Sequence, residues 1–466
     1  MFDRNIYINR REKLKQQVGS GLILLMGNVE SSMNYKDNWY HFRQDSSFLY
    51  FFGLDIPGLV GIIDVDENSE IIFGDDLSMD DIVWTGPQPT IAELASKSGV
   101  DQVKTSREIA TMLSGAQNGG RKIHFLPPYR PENIIKLNAW LGIDVNSSKE
   151  FASVELVKAV VAQRSIKDEA EIQEIEKAVN ITAEMHNTAM KTAREGLKES
   201  DITGNVHGVA VGSGGNLSFP IILTMDGQTL HNHYHGNVLT EGRMLLCDCG
   251  AETETRYAGD MTRTFPVGEK FDERQKTLYN IVLDAHETAK AALKPGILFK
   301  DVHLLACKRL AEGLKGLGLM KGDIDEAVQQ GAHALFFQCG LGHMMGLDVH
   351  DMEDLGEEYV GYTDTLLKSK QFGLKSLRLG RALEPGFVLT VEPGIYMIPE
   401  LMDMWRAENK FLDFINYDEV EKFKDFGGIR VEEDLLITEN SSRLLGEPVA
   451  ITAEAVEGIR AASLNS

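Results

Sequence analysis

Two apolar segments of this 466-residue chain each carry a carboxylate that strand chemistry does not explain: Asp248 in MLLCDCGAE and Asp260 in YAGDMTRTFPV. An ionised side chain in an apolar strand is costly unless something positive neutralises it. Side chains alternate across a strand, so Asp248 points away from Cys247 and Cys249 and one face of the segment is polar. The same anomaly recurs downstream. His343 lies in CGLGHMMGLDVHD, Glu392 closes GFVLTV just before Pro393-Gly394, and Glu432 sits in GGIRVEEDLLIT. In that last segment alternation sets Ile429, Val431 and Glu433 against Arg430, Glu432 and Asp434.

Four carboxylates with a single imidazole form an oxygen-rich donor set, which suits hard or borderline divalent ions such as Mn2+, Mg2+, Co2+ or Zn2+. Two dications balance four negative charges, and bridging carboxylates would hold such ions roughly 3.5–4 Å apart, close enough to share and ionise a water. The chemistry expected is hydrolysis at a dinuclear centre.

The elements that must position these groups follow from the apolar pattern. From Ile23 to Pro128, short runs such as LILLMG, GIIDV and EIIFG alternate with helical stretches, as in an α/β domain. Ser165-Ile-Lys-Asp168 has the form of a helix N-cap followed by an acid, and Ile172, Ile175, Val179 and Thr182 then mark one apolar stripe. Glu171, Glu174 and Lys177 fall on its other faces. The domain boundary is placed there, giving residues 1–164 and 165–466. The second domain reads as α+β with a mostly antiparallel sheet, its strands at 245–250, 257–266, 387–393 and 428–437 and its helices at 272–293 and 299–316. Polar insertions at 359–383 and 400–425 read as surface loops or short helices.

Composition narrows the function. Lys and Arg number 47 against 70 Asp and Glu, a formal charge of −23, which disfavours nucleic acid and anionic membranes as partners. The N-terminus lacks the apolar core of an export signal, and no apolar run approaches the ~20 residues that cross a bilayer. Four cysteines, Cys247, Cys249, Cys307 and Cys339, are too few for a disulfide framework, and the expectation is a soluble cytoplasmic enzyme.

The segments LHNHYHGN, LLCDCGAE, YAGDMTRTFPV, GLGHMMGLDVHD, LTVEPGIY and GIRVEEDLLIT stand in the order found in the aminopeptidase P/prolidase family, and the chain resembles those pita-bread metallopeptidases over most of 165–440. NWYHFRQDSSFLYFFGL resembles the family's N-terminal module. The resemblance implies an α/β N-terminal domain followed by a pita-bread catalytic domain. It implies a metallo-aminopeptidase nearest the Xaa-Pro aminopeptidases, acting on proline-containing peptides, with a prolidase restricted to Xaa-Pro dipeptides as the alternative. Two divalent ions, Mn2+ in the first instance and Co2+ or Zn2+ otherwise, would be held by Asp248, Asp260, His343, Glu392 and Glu432. Glu392 would also orient or deprotonate the hydroxide nucleophile between them.

By the same resemblance His350 contacts the scissile carbonyl, and His231, or alternatively His233, stabilises the tetrahedral intermediate. Arg430 would steady the metal-binding carboxylates. The cluster Trp39, Tyr40, Phe42, Phe48, Tyr50 and Phe51 is read as core and interface in preference to a substrate cage; the resemblance implies a homo-oligomer, dimer or tetramer, in which part of this module reaches a neighbouring subunit's active site. Three departures stand out. The two aspartates are one residue further apart than the family pattern, pointing to a longer turn through Glu252–Arg256. Cys339 occupies the position of a family histidine, and three histidines crowd LHNHYHG. A metal-free creatine-hydrolysing relative or an inactive binding protein on this fold should lack the acidic ligands, all of which are present. A dipeptidase would need a positive group for the free carboxylate, and no arginine can be named for that from the sequence, which favours the aminopeptidase.

Overall fold

A buried arginine organises the start of the chain: Arg11, on the helix Arg4–Val18, reaches Glu70 at 2.7 Å and donates to the carbonyls of Phe51 and Ser98. The structure is a computed structural model and describes residues 1–465. It divides into two units, 1–164 joined by Met352–Tyr359, and 165–351 joined by 360–465.

In the first unit the strand Leu22–Met26 is buried throughout, as its unbroken LILLM run requires of a central strand. It pairs antiparallel with Val60–Asp64 and parallel with Ile123–Phe125. Ser69–Phe73 and Gln102–Lys104 complete a mixed five-stranded sheet. Leu22, Leu24, Ile62, Phe73 and Leu113 lie in one apolar core against it. Of the aromatic cluster, Phe48, Tyr50 and Phe51 are buried, whereas Trp39 and Tyr40 are exposed.

The second unit opens on the helix Glu169–Thr192. Its N-cap is Asp168, not Ser165: Asp168 accepts from Glu171 N and the Glu171 side chain accepts from Asp168 N, a reciprocal box that outbids the serine. Ile172, Ile175, Val179 and Thr182 face inward as expected. Glu171 does too, because Tyr257 Oη donates to it at 3.0 Å and satisfies the buried carboxylate. Among the described residues every strand pair in this unit is antiparallel. Met244–Cys249 lies between Ile222–Thr224 and Met261–Pro266, and Glu433–Ile437 lies between Val388–Val391 and Ser442–Leu444. Gly394–Tyr396 pairs with Gly428–Arg430. The segment expected as one strand at 428–437 is therefore two, broken at Val431-Glu432, and the break lets Thr262 bridge to Glu432.

This is the two-domain pita-bread architecture the sequence led us to expect. The helices Glu273–Ala292 and Phe299–Gly316 cover it within a residue or so of their expected spans. No helix among the described residues is long and apolar enough to cross a membrane.

Candidate metal centre

The hairpin of Met244–Cys249 and Met261–Pro266 sets the first two carboxylates. Asp248 lies opposite Thr262 in the ladder, and Asp260 precedes the returning strand. The segment between them turns where Thr253 N donates to Tyr257 O and Arg256 takes a left-handed φ of 71°. Gly250 permits the close crossing behind it, since a Cβ there would sit 1.9 Å from the Gly259 carbonyl. Cys247 and Cys249 point the other way, their Sγ atoms 3.7 Å apart and facing His186.

His343 arrives on a loop laid beside Val388–Val391. Its backbone N–H donates to Thr390 Oγ1 and its carbonyl accepts from Thr390 N, at 3.2 and 3.0 Å. Gly342 makes this approach feasible, because any Cβ would lie 2.0 Å from the Thr390 carbonyl. The loop's far end is tied by Asp351, which takes an ion pair from Lys167 at 2.7 Å, both side chains 1% exposed, and accepts from Asp348 N. His343 Nδ1 donates to the Met344 carbonyl at 3.0 Å, which leaves the Nε2 lone pair facing inward. Nε2 lies 3.4 Å from Asp260 Oδ2 and 3.7 Å from Glu392 Oε1.

Ligand atoms of Asp260, His343 and Glu432 lie within 4.8 Å of one another. Asp248 and Glu392 line the same cavity, of about 230 Å³, without joining that tight trio. His231, His233, His350, Arg430 and Cys339 line it as well. The His350 ring stacks edge-on to His343 with centroids 4.4 Å apart. Both candidates from LHNHYHG thus stand at the cavity; at His231 the Asp248 charge opposes the lowering of the pKa by burial.

Arg430 is the hub beneath the carboxylates. It pairs with Asp248 Oδ2, donates from Nε to Thr262 Oγ1 at 3.0 Å and from Nη1 to Tyr396 Oη at 3.0 Å. Thr262 Oγ1 in turn donates a hydrogen bond to Glu432 Oε2, and Asp260 N donates to Asp434 Oδ2 at 3.0 Å. Thr262 was not singled out in the sequence, and Asp434 was placed there only on the strand face of Arg430 and Glu432. Cys339 makes only a weak 3.9 Å contact with Tyr396 Oη.

The electrostatics are those of carboxylates short of positive charge. Burial, and then the neighbouring acids, push Asp260 and Glu432 well above the usual carboxylate range, and burial brings Glu392 up to about 7. Burial followed by the His350 charge drives His343 well below its ordinary value, keeping the imidazole neutral. Asp260 Oδ1 is buried without a hydrogen-bond partner. A buried carboxylate oxygen with no donor, beside the inward-facing Nε2 lone pair of a neutral imidazole, fits a divalent cation.

The insertion at 359–383 is more than a surface loop. Ser376 and Arg378 line the cavity, and Arg378 acts electrostatically on Glu392, His343 and His231. Nothing in the Lys-rich sequence around it announces this, since no motif surrounds the arginine and only the fold turns it inward. Phe219, Pro220 and Ile222 supply an apolar wall.

Fold and cavity together define a metallopeptidase of the pita-bread class. A family model described as Metallopeptidase family M24 matches residues 173–439, and one described as Aminopeptidase P, N-terminal domain matches residues 7–124. The chain belongs to metallopeptidase family M24. It is 32% identical over 458 residues to an Xaa-Pro dipeptidase of Homo sapiens, covering 96% of this chain and 89% of that one. It is 29% identical over 481 residues to an Xaa-Pro aminopeptidase of Escherichia coli K12, covering 99% and 98%. A solved structure of zinc-substituted E. coli aminopeptidase P in complex with product superposes with a TM-score of 0.82 at 29% identity over 99% of both chains.

Proposed function

We propose that this chain hydrolyses the peptide bond preceding proline, using two divalent ions held by Asp248, Asp260, His343, Glu392 and Glu432. The observation that carries the reading is the convergence of Asp260, His343 and Glu432, together with the buried Asp260 Oδ1 that has no hydrogen-bond partner. The ions, when bound, supply an activated water and Lewis acidity toward the scissile carbonyl. Manganese is the ion this oxygen-rich set suits first, with cobalt and zinc competing through the single imidazole.

The chain's own residues do the rest. Glu392, which faces the cavity 3.7 Å from His343 Nε2, receives the proton of the attacking water and returns it to the departing imino nitrogen of proline. His350 and His231 face the cavity from two sides and donate to the oxyanion as the carbonyl becomes tetrahedral. Arg430 fixes Asp248 and, through Thr262, Glu432. Phe219, Pro220 and Ile222 give the pyrrolidine ring an apolar seat. A tertiary amide has no N–H to bind, so shape must select it.

Chain-length preference turns on Arg378. The aminopeptidase preference drawn from sequence rested on having no guanidinium to name for a free carboxylate. Arg378 in the cavity removes that ground and favours action on Xaa-Pro dipeptides, whose terminal carboxylate lies one residue from the scissile bond. Human Xaa-Pro dipeptidase among the relatives accords with this. Homo-oligomeric assembly is part of the same reading, and the exposed Met79, Val83 and Trp84 of the helix Met79–Thr85 offer an apolar surface for it.

Turnover of Xaa-Pro against Xaa-Pro-Yaa peptides, after chelation and after Mn2+ add-back, tests both levels. Activity indifferent to chelation removes the metal mechanism. Equal or better turnover of the longer peptides removes the dipeptidase preference while leaving the metal mechanism standing.

A further inference from the structure

A second group of metal-binding side chains is buried away from the acidic cavity. His303 and Cys307 stand one turn apart on the helix Phe299–Gly316, so they share a face. His333 comes to them from the short turn Ala332–Leu335, where Gly331, at φ 91°, reverses the chain after the helix Ile324–Gln330. One ligand atom from each lies within 4.8 Å of the other two, and Cys307 Sγ is 3.4 Å from His303 Nε2. All three residues are at most 4% exposed.

Cys307 Sγ and His303 Nε2 are within hydrogen-bond distance of each other, but three further nitrogens are not satisfied. His303 Nδ1 and both ring nitrogens of His333 are buried without completing a hydrogen bond, the Val328 backbone being the near polar neighbour of His333. Burial holds His303 down to about 3 and His333 to about 4, so both imidazoles are neutral and their lone pairs are available. A buried His333 ring with neither nitrogen hydrogen-bonded calls for an explanation, and a coordinated ion would occupy one of those nitrogens while using His303 Nε2 and Cys307 Sγ as well.

We propose that His303, Cys307 and His333 form a three-coordinate site for a monovalent thiophilic cation, copper(I). Charge selects the valence. Two neutral imidazoles and one thiolate carry a single negative charge, which a monovalent ion cancels and a dication overcompensates inside an apolar core. Ligand softness selects the element, because nitrogen and sulfur donors prefer copper(I) whereas the carboxylate cavity prefers hard dications. Spacing is compatible: metal–nitrogen bonds of roughly 2.0 Å and a metal–sulfur bond of roughly 2.3 Å put nitrogen and sulfur about 3.7 Å apart in a trigonal site, a few tenths of an ångström beyond the 3.4 Å found between Cys307 and His303. On loading, the Cys307 S–H bond breaks, sulfur bonds to copper, the proton leaves to solvent, and the copper stays in its +1 state. Cys339 lies near enough to act on Cys307 electrostatically but turns its sulfur toward Tyr396 and the acidic cavity, so it is not counted as a ligand.

The test uses the full-length, Mn2+-loaded protein under anaerobic reducing conditions, with copper(I) supplied from a chromophoric chelator during expression in one arm and to the purified chain in another. The wild type should withdraw one copper per chain and show the X-ray absorption edge of a three-coordinate nitrogen–sulfur site. Cys307→Ser and His333→Gln should each weaken binding by at least roughly 100-fold while peptidase turnover stays at the wild-type level, which reports that the variants are folded. Absence of copper uptake in both arms overturns the site, as does binding that the two variants share with the wild type. One zinc bound at these residues in preference to copper overturns the monovalent assignment.

Discussion

Thr262 Oγ1 donates to Glu432 Oε2 at 2.6 Å while accepting from Arg430 Nε, so a single hydroxyl fixes the orientation of a metal-binding carboxylate and of the guanidinium beneath it. Thr262→Val keeps the shape of the side chain and removes the relay. Metal affinity should drop by about 10–100-fold with the fold intact, whereas Thr262→Ser should stay near wild type. Calorimetric Mn2+ titration reads both, and equal affinities in all three proteins would remove Thr262 from the centre.

Glu392→Gln preserves volume and loses the proton acceptor. Turnover should fall by a factor of roughly 10² to 10⁴, with circular dichroism and thermal midpoint little changed. Near-normal kcat in a metal-loaded variant would reassign the general base.

Arg378→Met tests the carboxylate anchor. Loss of a charge-assisted contact should lower kcat/KM on Xaa-Pro dipeptides by about 10–100-fold and leave Xaa-Pro-Yaa peptides much less affected. A uniform loss on both would show that Arg378 acts on the metal ligands and not on the substrate terminus.

The metal-free centre has a pH signature. Burial raises Glu392 to about 7 and Asp260 and Glu432 well above their ordinary range. Folded-state values above the unfolded ones mean stability that is present at low pH and lost as pH rises through the folded pKa. Bound cations relieve that loss, so the rise in thermal midpoint on adding Mn2+ should be larger at pH 8 than at pH 5.5. A pH-independent increment would contradict it.

His303 and His333 carry the opposite sign. With pKa values of about 3 and about 4 against an ordinary 6.5, their neutral forms contribute stability above 6.5 that drains as pH falls toward those values. Each should cost about 1.4 kcal/mol per pH unit across that window. Urea midpoints of the copper-free protein between pH 7 and 5 should decline less steeply in His303→Leu than in the wild type, and parallel slopes would refute the assignment.

What the sequence displayed was whatever a periodic or local rule could encode. Alternation alone separated Asp248 from its flanking cysteines, and the apolar stripe from Ile172 onward located its helix. Ser165 was mistaken for the cap because a serine and an aspartate three residues apart satisfy the same local pattern. The choice between them depends on the reciprocal bonds of Asp168 and Glu171. Arg378 and Thr262 were illegible for a different reason. A lone arginine in a polar insertion and a threonine in a β-strand are unremarkable in one dimension, and their importance arises from contacts with residues scores of positions distant.

The ion pair between Lys167 and Asp351, sealed at 1% exposure and tying down the loop that delivers His343 and His350, constrains how this lineage can change. Replacing either partner removes the opposite charge that faces the other in the interior, a defect of about 3–5 kcal/mol, comparable to a large part of a domain's net stability. Drift at these two positions is therefore expected to be joint: a neutral residue at one is tolerated only on a background already neutral at the other, although they lie far apart along the polypeptide.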